Sequence, residues 1–320
     1  MRSRSGREGR AYLSKEVEMG VVGSTGLRIL HFGDVHLPFP EGALRDFGVL
    51  HPKRLVALLN YSARRARKYA ESAQKLDGLC DFLRREPVDW ILYTGDMLNQ
   101  GLEKEYMEAA EPLARVLGMA RGGALAVPGN HDLYTRASVG FYRRLFGPRL
   151  PKGDLPEMEG KGGYPCVRFM GEDAVAIGLN SAVPHFAFWD SSGRLDGEEV
   201  AALGRLLDSP EVARRRWVFV MTHYPFLDTD WLHGLRGTEA FWKVLEGRKN
   251  VVLLHGHNHR NYVARAPGGI PVFCSGSLTK RGAESFWLFE PFAGALNARR
   301  GVWRNARFSL EAAEAGEAGG

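Results

Sequence analysis

Cysteine is scarce in this chain. Three residues, Cys80, Cys166 and Cys274, make an odd number at unrelated spacings. That argues against a disulfide framework and for a reducing compartment, so a cytoplasmic protein is expected. Long apolar runs are missing as well, since none approaches the ~20 residues of a membrane-spanning helix. The opening "MRSRSGREGRAYLSKEVEMG" is basic but has no apolar stretch of the secretory kind. No internal repeat and no Pro- or Ser-rich linker divides the sequence. One α/β domain with two packed sheets is expected, over residues 26–308. A disordered basic segment, 1–25, precedes it and a flexible tail, 309–320, follows.

What is present supports a sizeable core. Of 320 residues, 44% are hydrophobic and 25% charged, the balance of a soluble globular protein. The net charge of +6 is unevenly placed. Residues 41–75 carry eight basic side chains, Arg45, Lys53, Arg54, Arg64, Arg65, Arg67, Lys68 and Lys75, against three acidic ones. Within that stretch "HPKRLVALLNYSARRARKY" mixes the basic residues with Leu55, Leu58, Leu59, Tyr61 and Tyr69. It reads as a basic amphipathic helix, residues 51–69, able to lie on an anionic membrane surface. The plainer alternative is a solvated helix whose apolar side covers the core.

Short apolar segments alternate with helical patterns. "LRILHF" (27–32), "VDWILYT" (88–94), "GALAVP" (123–128), "DAVAIGLN" (173–180), "RWVFVMTH" (216–223) and "NVVLLHG" (250–256) read as buried strands. Helices are expected near 51–85, 103–120, 197–208 and 238–247. Beyond residue 260, "NYVARA", "IPVFCSGS" and "ESFWLFE" read as strands without long helices.

Metal-competent side chains recur just past the ends of these strands. "GDVH" gives Asp34 and His36, "TGDMLN" gives Asp96 and Asn99, and "PGNHD" gives Asn130, His131 and Asp132. "THYP" gives His223, and "HGHNH" places His255, His257 and His259 on alternate positions. In open α/β sheets, ligand sites form beyond the strands' carboxyl ends. One such fragment is weak evidence, but five, each after an apolar strand, point to a metal site.

The ordered set "GDVH", "GDMLN", "GNHD", "THYP" and "GHNH" resembles the calcineurin-like metallophosphoesterase superfamily over roughly residues 27–290. The resemblance implies a four-layered α/β/β/α sandwich of two mixed sheets and a centre of two divalent metal ions. Asp34, His36, Asp96 and His259 would hold one ion. Asp96, Asn130, His223 and His257 would hold the other, with Asp96 bridging. His131 would be the catalytic acid beside the leaving group, and Asp132 would orient it or cap a helix start. Ligands without thiolate suit Mn²⁺, Fe, Zn²⁺ or Co²⁺, with Mn²⁺ favoured. Two ions about 3.5–4 Å apart can hold a bridging hydroxide and neutralise phosphate oxygens. His255 reads as structural, Asn99 as a loop residue, and His31, His185 and His233 as lone histidines.

Selectivity within the superfamily must come from the insertions, of which 41–86 is the largest. "HFGDVHLP", the "KRLVALLNYSARRARKY" helix and "THYPF" are most similar to the GNHD-bearing UDP-2,3-diacylglucosamine diphosphatases. These release UMP and lipid X in lipid A synthesis, as peripheral enzymes of the inner membrane. A relative catalysing the same step carries Arg where this chain has His131. A soluble cyclic-nucleotide or other small phosphodiester is the alternative substrate. A DNA nuclease is a further one, raised by a pI near 9.3. No repeated aromatic and basic platform supports nucleic acid as a partner.

Overall fold

The computed structural model describes residues 26–41, 54, 66–160, 162–185, 189–227, 230–292 and 294–311. Every expected buried strand forms, a little shorter than its apolar run. They are β1 (Ile29–Phe32), β2 (Trp90–Tyr93), β3 (Gly123–Ala126), β5 (Ala174–Gly178), β7 (Trp217–Met221) and β9 (Val251–His255). Thr94, Asn180, Thr222 and His223, which end their runs, fall in the loops that follow. Five strands were not read from the sequence, two of them the short pair β6 (Gly193–Arg194) and β8 (Leu235–Arg236). β4 (Cys166–Met170) is an edge strand interrupted by Arg168, and β13 (Ala295–Arg304) and β14 (Arg307–Leu310) form a hairpin rich in arginine. β14 carries regular structure to Leu310, two residues past the expected boundary at 308.

Two six-stranded mixed sheets result. One runs β14-β13-β12-β1-β2-β3, with β12 at Ser285–Phe292; the other runs β10-β11-β9-β7-β5-β4, with β10 at Asn261–Arg265 and β11 at Pro271–Ser275. β1, β2 and β3 are parallel, as are β5, β7, β9 and β11. The small parallel pair of β6 and β8 lies apart.

The side chains explain the layering. In β9, Val251 and Leu253 belong to an outer cluster while Val252 and Leu254 belong to the cluster between the sheets. In β2, Trp90 and Leu92 face the partner sheet while Ile91 and Tyr93 face helices. Both faces of each sheet are therefore covered, which is why these strands read as continuous apolar runs. The covering helices are α2 (Ser72–Arg85) and α3 (Glu103–Leu117) on one sheet, and α5 (Gly197–Asp208) and α7 (Thr238–Leu245) on the other. Each buried Leu or Phe in these layers contributes about 1.5–3 kcal/mol. Asp196 starts α5 by accepting the amides of Glu198 and Glu199. The remaining short helices are α1 (Ala66–Tyr69), α4 (Arg136–Phe141) and α6 (Pro210–Ala213).

The expected helix over 51–85 is not continuous. α1 and α2 are separate because the Ser72 hydroxyl takes the Tyr69 carbonyl at 2.6 Å, competing with the helical ladder. Apart from Arg54 and 66–69, the basic helix expected over 51–69 lies outside the described residues, Arg64, Arg65, Leu55, Leu58, Leu59 and Tyr61 included. The basic segment 1–25 also lies outside them. Among the described residues no helix is long and apolar enough to cross a membrane.

Candidate metal centre

The carboxyl ends of β1, β2, β3, β7 and β9 converge, and the loops beyond them carry the candidate ligands. The first two loops are zipped together by backbone bonds, Asp34 N to Gly95 O and His36 N to Asp96 O. Asp34, His36, Asp96, His257 and His259 all sit at positive φ, between 47° and 68°. Left-handed backbone at a residue other than glycine costs about 1–3 kcal/mol and persists where the surroundings enforce it. Here it turns consecutive loop side chains toward one point. The neighbouring glycines make room. A Cβ on Gly129 would lie 2.0 Å from Asp96 Oδ1, and one on Gly256 2.5 Å from Asp34 Oδ2.

The ligating atoms form two adjoining groups. In the first, His259 Nε2 lies 3.0 Å from Asp34 Oδ1 and 3.2 Å from His36 Nε2, which is 3.7 Å from Asp96 Oδ2. These four residues can bring their ligand atoms within 4.8 Å of one another. In the second, Asn130 Oδ1 lies 3.0 Å from His223 Nε2 and 3.1 Å from His257 Nδ1. His223 Nε2 is 3.4 Å from the same Asp96 Oδ2. Asp96 thus faces both groups. All seven residues named from the sequence meet here.

Backbone carbonyls fix the tautomers. His36 Nδ1 donates to Leu98 O at 2.9 Å and His223 Nδ1 to Thr94 O at 2.7 Å. Each leaves an Nε2 lone pair aimed inward, as a metal-bound imidazole requires. His259 Nδ1 is held by the Tyr69 hydroxyl at 2.9 Å. His131 lies at the edge of this centre, its ring 4.9 Å from that of His36 and stacked on Tyr134. Its Nδ1 donates to Asn99 O, and its amide donates to Asp96 Oδ1 at 2.8 Å.

The electrostatics call for positive charge between the two groups. Burial works to raise the Asp96 carboxyl, but His223, His131 and His36 prevail and hold it well below the usual carboxylate range. Burial works to lower His223, yet the Asp96 carboxylate pushes it up to about 9. His257 is lowered by burial and by His223. Asp34 Oδ1 is buried and accepts no hydrogen bond from the described residues. Two buried carboxylates, four inward imidazole nitrogens and an amide oxygen fit divalent cations of the Mn²⁺, Fe, Zn²⁺ or Co²⁺ kind. A model of the calcineurin-like phosphoesterase family matches residues 27–261.

The chain belongs to the calcineurin-like phosphoesterase family. Membership makes it a metal-dependent phosphoester hydrolase. This phosphoesterase is similar to a dimetal phosphatase from Danio rerio, at 14% identity over 89% of this chain and 95% of that one, with a TM-score of 0.60. It is also similar to a purple acid phosphatase from yellow lupin (Lupinus luteus) seeds, at 12% identity over 87% of this chain and 52% of that one, with a TM-score of 0.53. At such identities the likeness concerns the fold alone. No curated protein matches the phosphoesterase in sequence.

Two expectations, those for Asp132 and Arg54, need correction. Asp132 makes no described contact with the His131 ring. Its carboxylate accepts the amides of Asp96, Met97, Leu98 and Gly129, stapling two ligand loops together. Burial and the Asp96 charge push it up to about 7. Asn99 is a loop residue, as read, its side-chain amide donating to Leu37 O, and its backbone carbonyl also orients His131. Arg54, expected on a basic surface helix, is turned inward at 3% exposure and binds the carbonyls of Gln100 and Gly101 and the hydroxyls of Thr135 and Ser138. His255 is structural, as read: its ring bonds Gly256 O and the Tyr262 hydroxyl.

Sequence reading missed Tyr69, placed only as an apolar insert residue. It also missed Ser277 and Thr279, whose hydroxyls donate to the carbonyls of Asp34 and Val35. No spacing links position 69 to 259, so only the fold reveals that pair. Tyr224 packs on His257 with ring centres 4.4 Å apart, and its place beside His223 in "THYP" was the available signal.

Proposed function

We propose that this phosphoesterase uses two divalent ions, with Asp34, His36, Asp96 and His259 holding one and Asp96, Asn130, His223 and His257 the other. The observation that carries this is Asp96 Oδ2 lying within 3.7 Å of His36 on one side and 3.4 Å of His223 on the other. Bound divalent ions supply Lewis-acid neutralisation of phosphate oxygens and lower the pKa of water toward neutrality. The protein's own groups do the rest. Asn99 O fixes Nδ1–H of His131, so a ring protonated on both nitrogens donates from Nε2 to the departing oxygen. Asp132 holds the loops of Asp96 and Asn130 at fixed separation.

The substrate we favour is UDP-2,3-diacylglucosamine, cleaved to UMP and lipid X by a cytoplasmic enzyme peripheral on the inner membrane. The motif resemblance supports it. So does an apolar shelf on which the exposed Leu227 and Trp231 line one pocket with Phe226 and Trp242. Tyr224, two residues before Phe226 of the shelf, packs on His257 at the centre. The inward turn of Arg54 favours the second reading, a soluble phosphodiester, because it removes one cation from the membrane-facing set. Manganese-loaded protein assayed on UDP-2,3-diacylglucosamine, cAMP, single-stranded DNA and bis-p-nitrophenyl phosphate separates these readings. Preference for the lipid over the other natural substrates is expected. Turnover of cAMP with none of the lipid moves the soluble reading ahead, and turnover of DNA makes the protein a nuclease.

A further inference from the structure

We propose that Lys68, Arg260 and Lys280 form an anion-binding rim on the Asp34 side of the metal centre, and that the substrate carries a second phosphate which this rim holds. The proposal rests on the phosphoesterase reading and specifies its substrate class as a phosphoanhydride, rather than a diester with uncharged flanks.

The three residues come from distant parts of the chain, and each is tied to the centre by its neighbour. Lys68 precedes Tyr69, whose hydroxyl bonds the ring of His259. Arg260 follows His259 directly. Lys280 follows Thr279, whose hydroxyl donates to Val35 O between Asp34 and His36. A backbone bond of 2.9 Å from Arg281 N to Lys68 O closes the two segments together. Lys280 is half-buried, and its pKa is lowered by burial, then by Lys68 and Arg260, with Asp34 opposing. Lys280 therefore lies within electrostatic reach of Lys68, of Arg260 and of the proposed ligand Asp34.

Acidic partners that would neutralise such a cluster are engaged elsewhere. Glu284 is held by the buried Lys75 at 2.6 Å, and Glu71 by the same amine at 3.1 Å. Among the described residues, Lys68, Arg260 and Lys280 form ion pairs with no carboxylate. Like charges held together beside a phosphate-cleaving centre suit a polyanion, since each added phosphate contact becomes a charge-assisted bond. A substrate with one charged phosphate would leave this rim unused.

The test uses the manganese-loaded full chain and calorimetric binding of α,β-methylene-ADP against AMP. The nucleoside is common to both, so the ratio of their affinities reads the second phosphate. The wild type is expected to bind the diphosphonate analogue about tenfold more tightly or better, roughly 1.4 kcal/mol. In the combined Lys68→Gln, Arg260→Gln, Lys280→Gln variant the ratio should collapse toward one, with metal content and Tm retained. Lys280→Arg alone should keep the discrimination. Equal affinities in the wild type, or an undiminished ratio in the variant, overturns the rim. Wild-type binding to phosphatidylglycerol vesicles that the variant loses, without discrimination between the two nucleotides, assigns the cations to a lipid headgroup and also overturns it. Failure of the wild type to hydrolyse bis-p-nitrophenyl phosphate with any metal would instead refute the phosphoesterase reading, while the nucleotide comparison still decides the rim.

Discussion

Asp96 faces both groups of ligands: one oxygen faces His36 and His223, the other accepts the His131 amide. Asp96→Ala removes a ligand from both ions at once. Activity should be abolished and bound metal lowered, while circular dichroism reports an intact fold. Full activity at wild-type metal content would reject a shared carboxylate. His131 belongs to the chemistry, not to the metal. His131→Ala should keep its metal but lose roughly 10²–10⁴-fold in turnover on substrates with poor leaving groups. The loss should shrink with nitrophenolate, which departs without a proton; equal losses on both substrate types would remove His131 from the acid role.

At the scale of loops and strands, the centre depends on how closely five turns pack. Gly129 shows the tolerance, because its missing side chain leaves the space that Asp96 Oδ1 occupies. Gly129→Ala should lower metal occupancy and activity together, since Asp96 or the Asn130 loop must shift. Metal analysis beside a thermal melt checks this, and unchanged metal content would show that the loops have slack. The same loops show what was readable in advance. Each ligand follows an apolar strand in the sequence, so residues as far apart as Asp34 and His259 could be grouped before any coordinates. Residues that orient the ligands and His131 were not readable. Leu98, Thr94 and Asn99 act through backbone carbonyls, which any residue type would supply. The Tyr69 hydroxyl reaches His259 only because α1 ends beside β9's loop. Arg54 misled because a guanidinium that caps buried carbonyls looks in sequence like one that faces water.

For the whole molecule, four layers with both sheets covered make the strands apolar throughout, which is why the fold class could be read from them. Edge strands β4 and β14, and β13 beside β14, escaped because their exposed sides carry arginines. The outer layer on the α5 side holds a pH-sensitive group. Burial pushes Glu199 up to about 8 from an ordinary 4.5, while it accepts the Asn180 amide. The folded chain therefore keeps a proton that the unfolded chain gives up above about pH 4.5. Stability from this group is complete below that value and is lost as pH rises toward 8. Glu199→Gln keeps the acceptor without the titration, so its Tm relative to wild type should rise between pH 5 and pH 8. Parallel curves across that range would place the Glu199 carboxyl in water.

The number of divalent ions bound per chain bears most directly on the proposed centre. It can be counted by elemental analysis after stripping with chelator and titrating Mn²⁺, with hydrolysis of bis-p-nitrophenyl phosphate followed in the same samples. The arrangement around Asp96 predicts two ions per chain, no turnover in the stripped protein, and recovery that saturates as the second ion binds. Turnover that survives complete metal removal, or full activity with no more than one ion per chain, would contradict it.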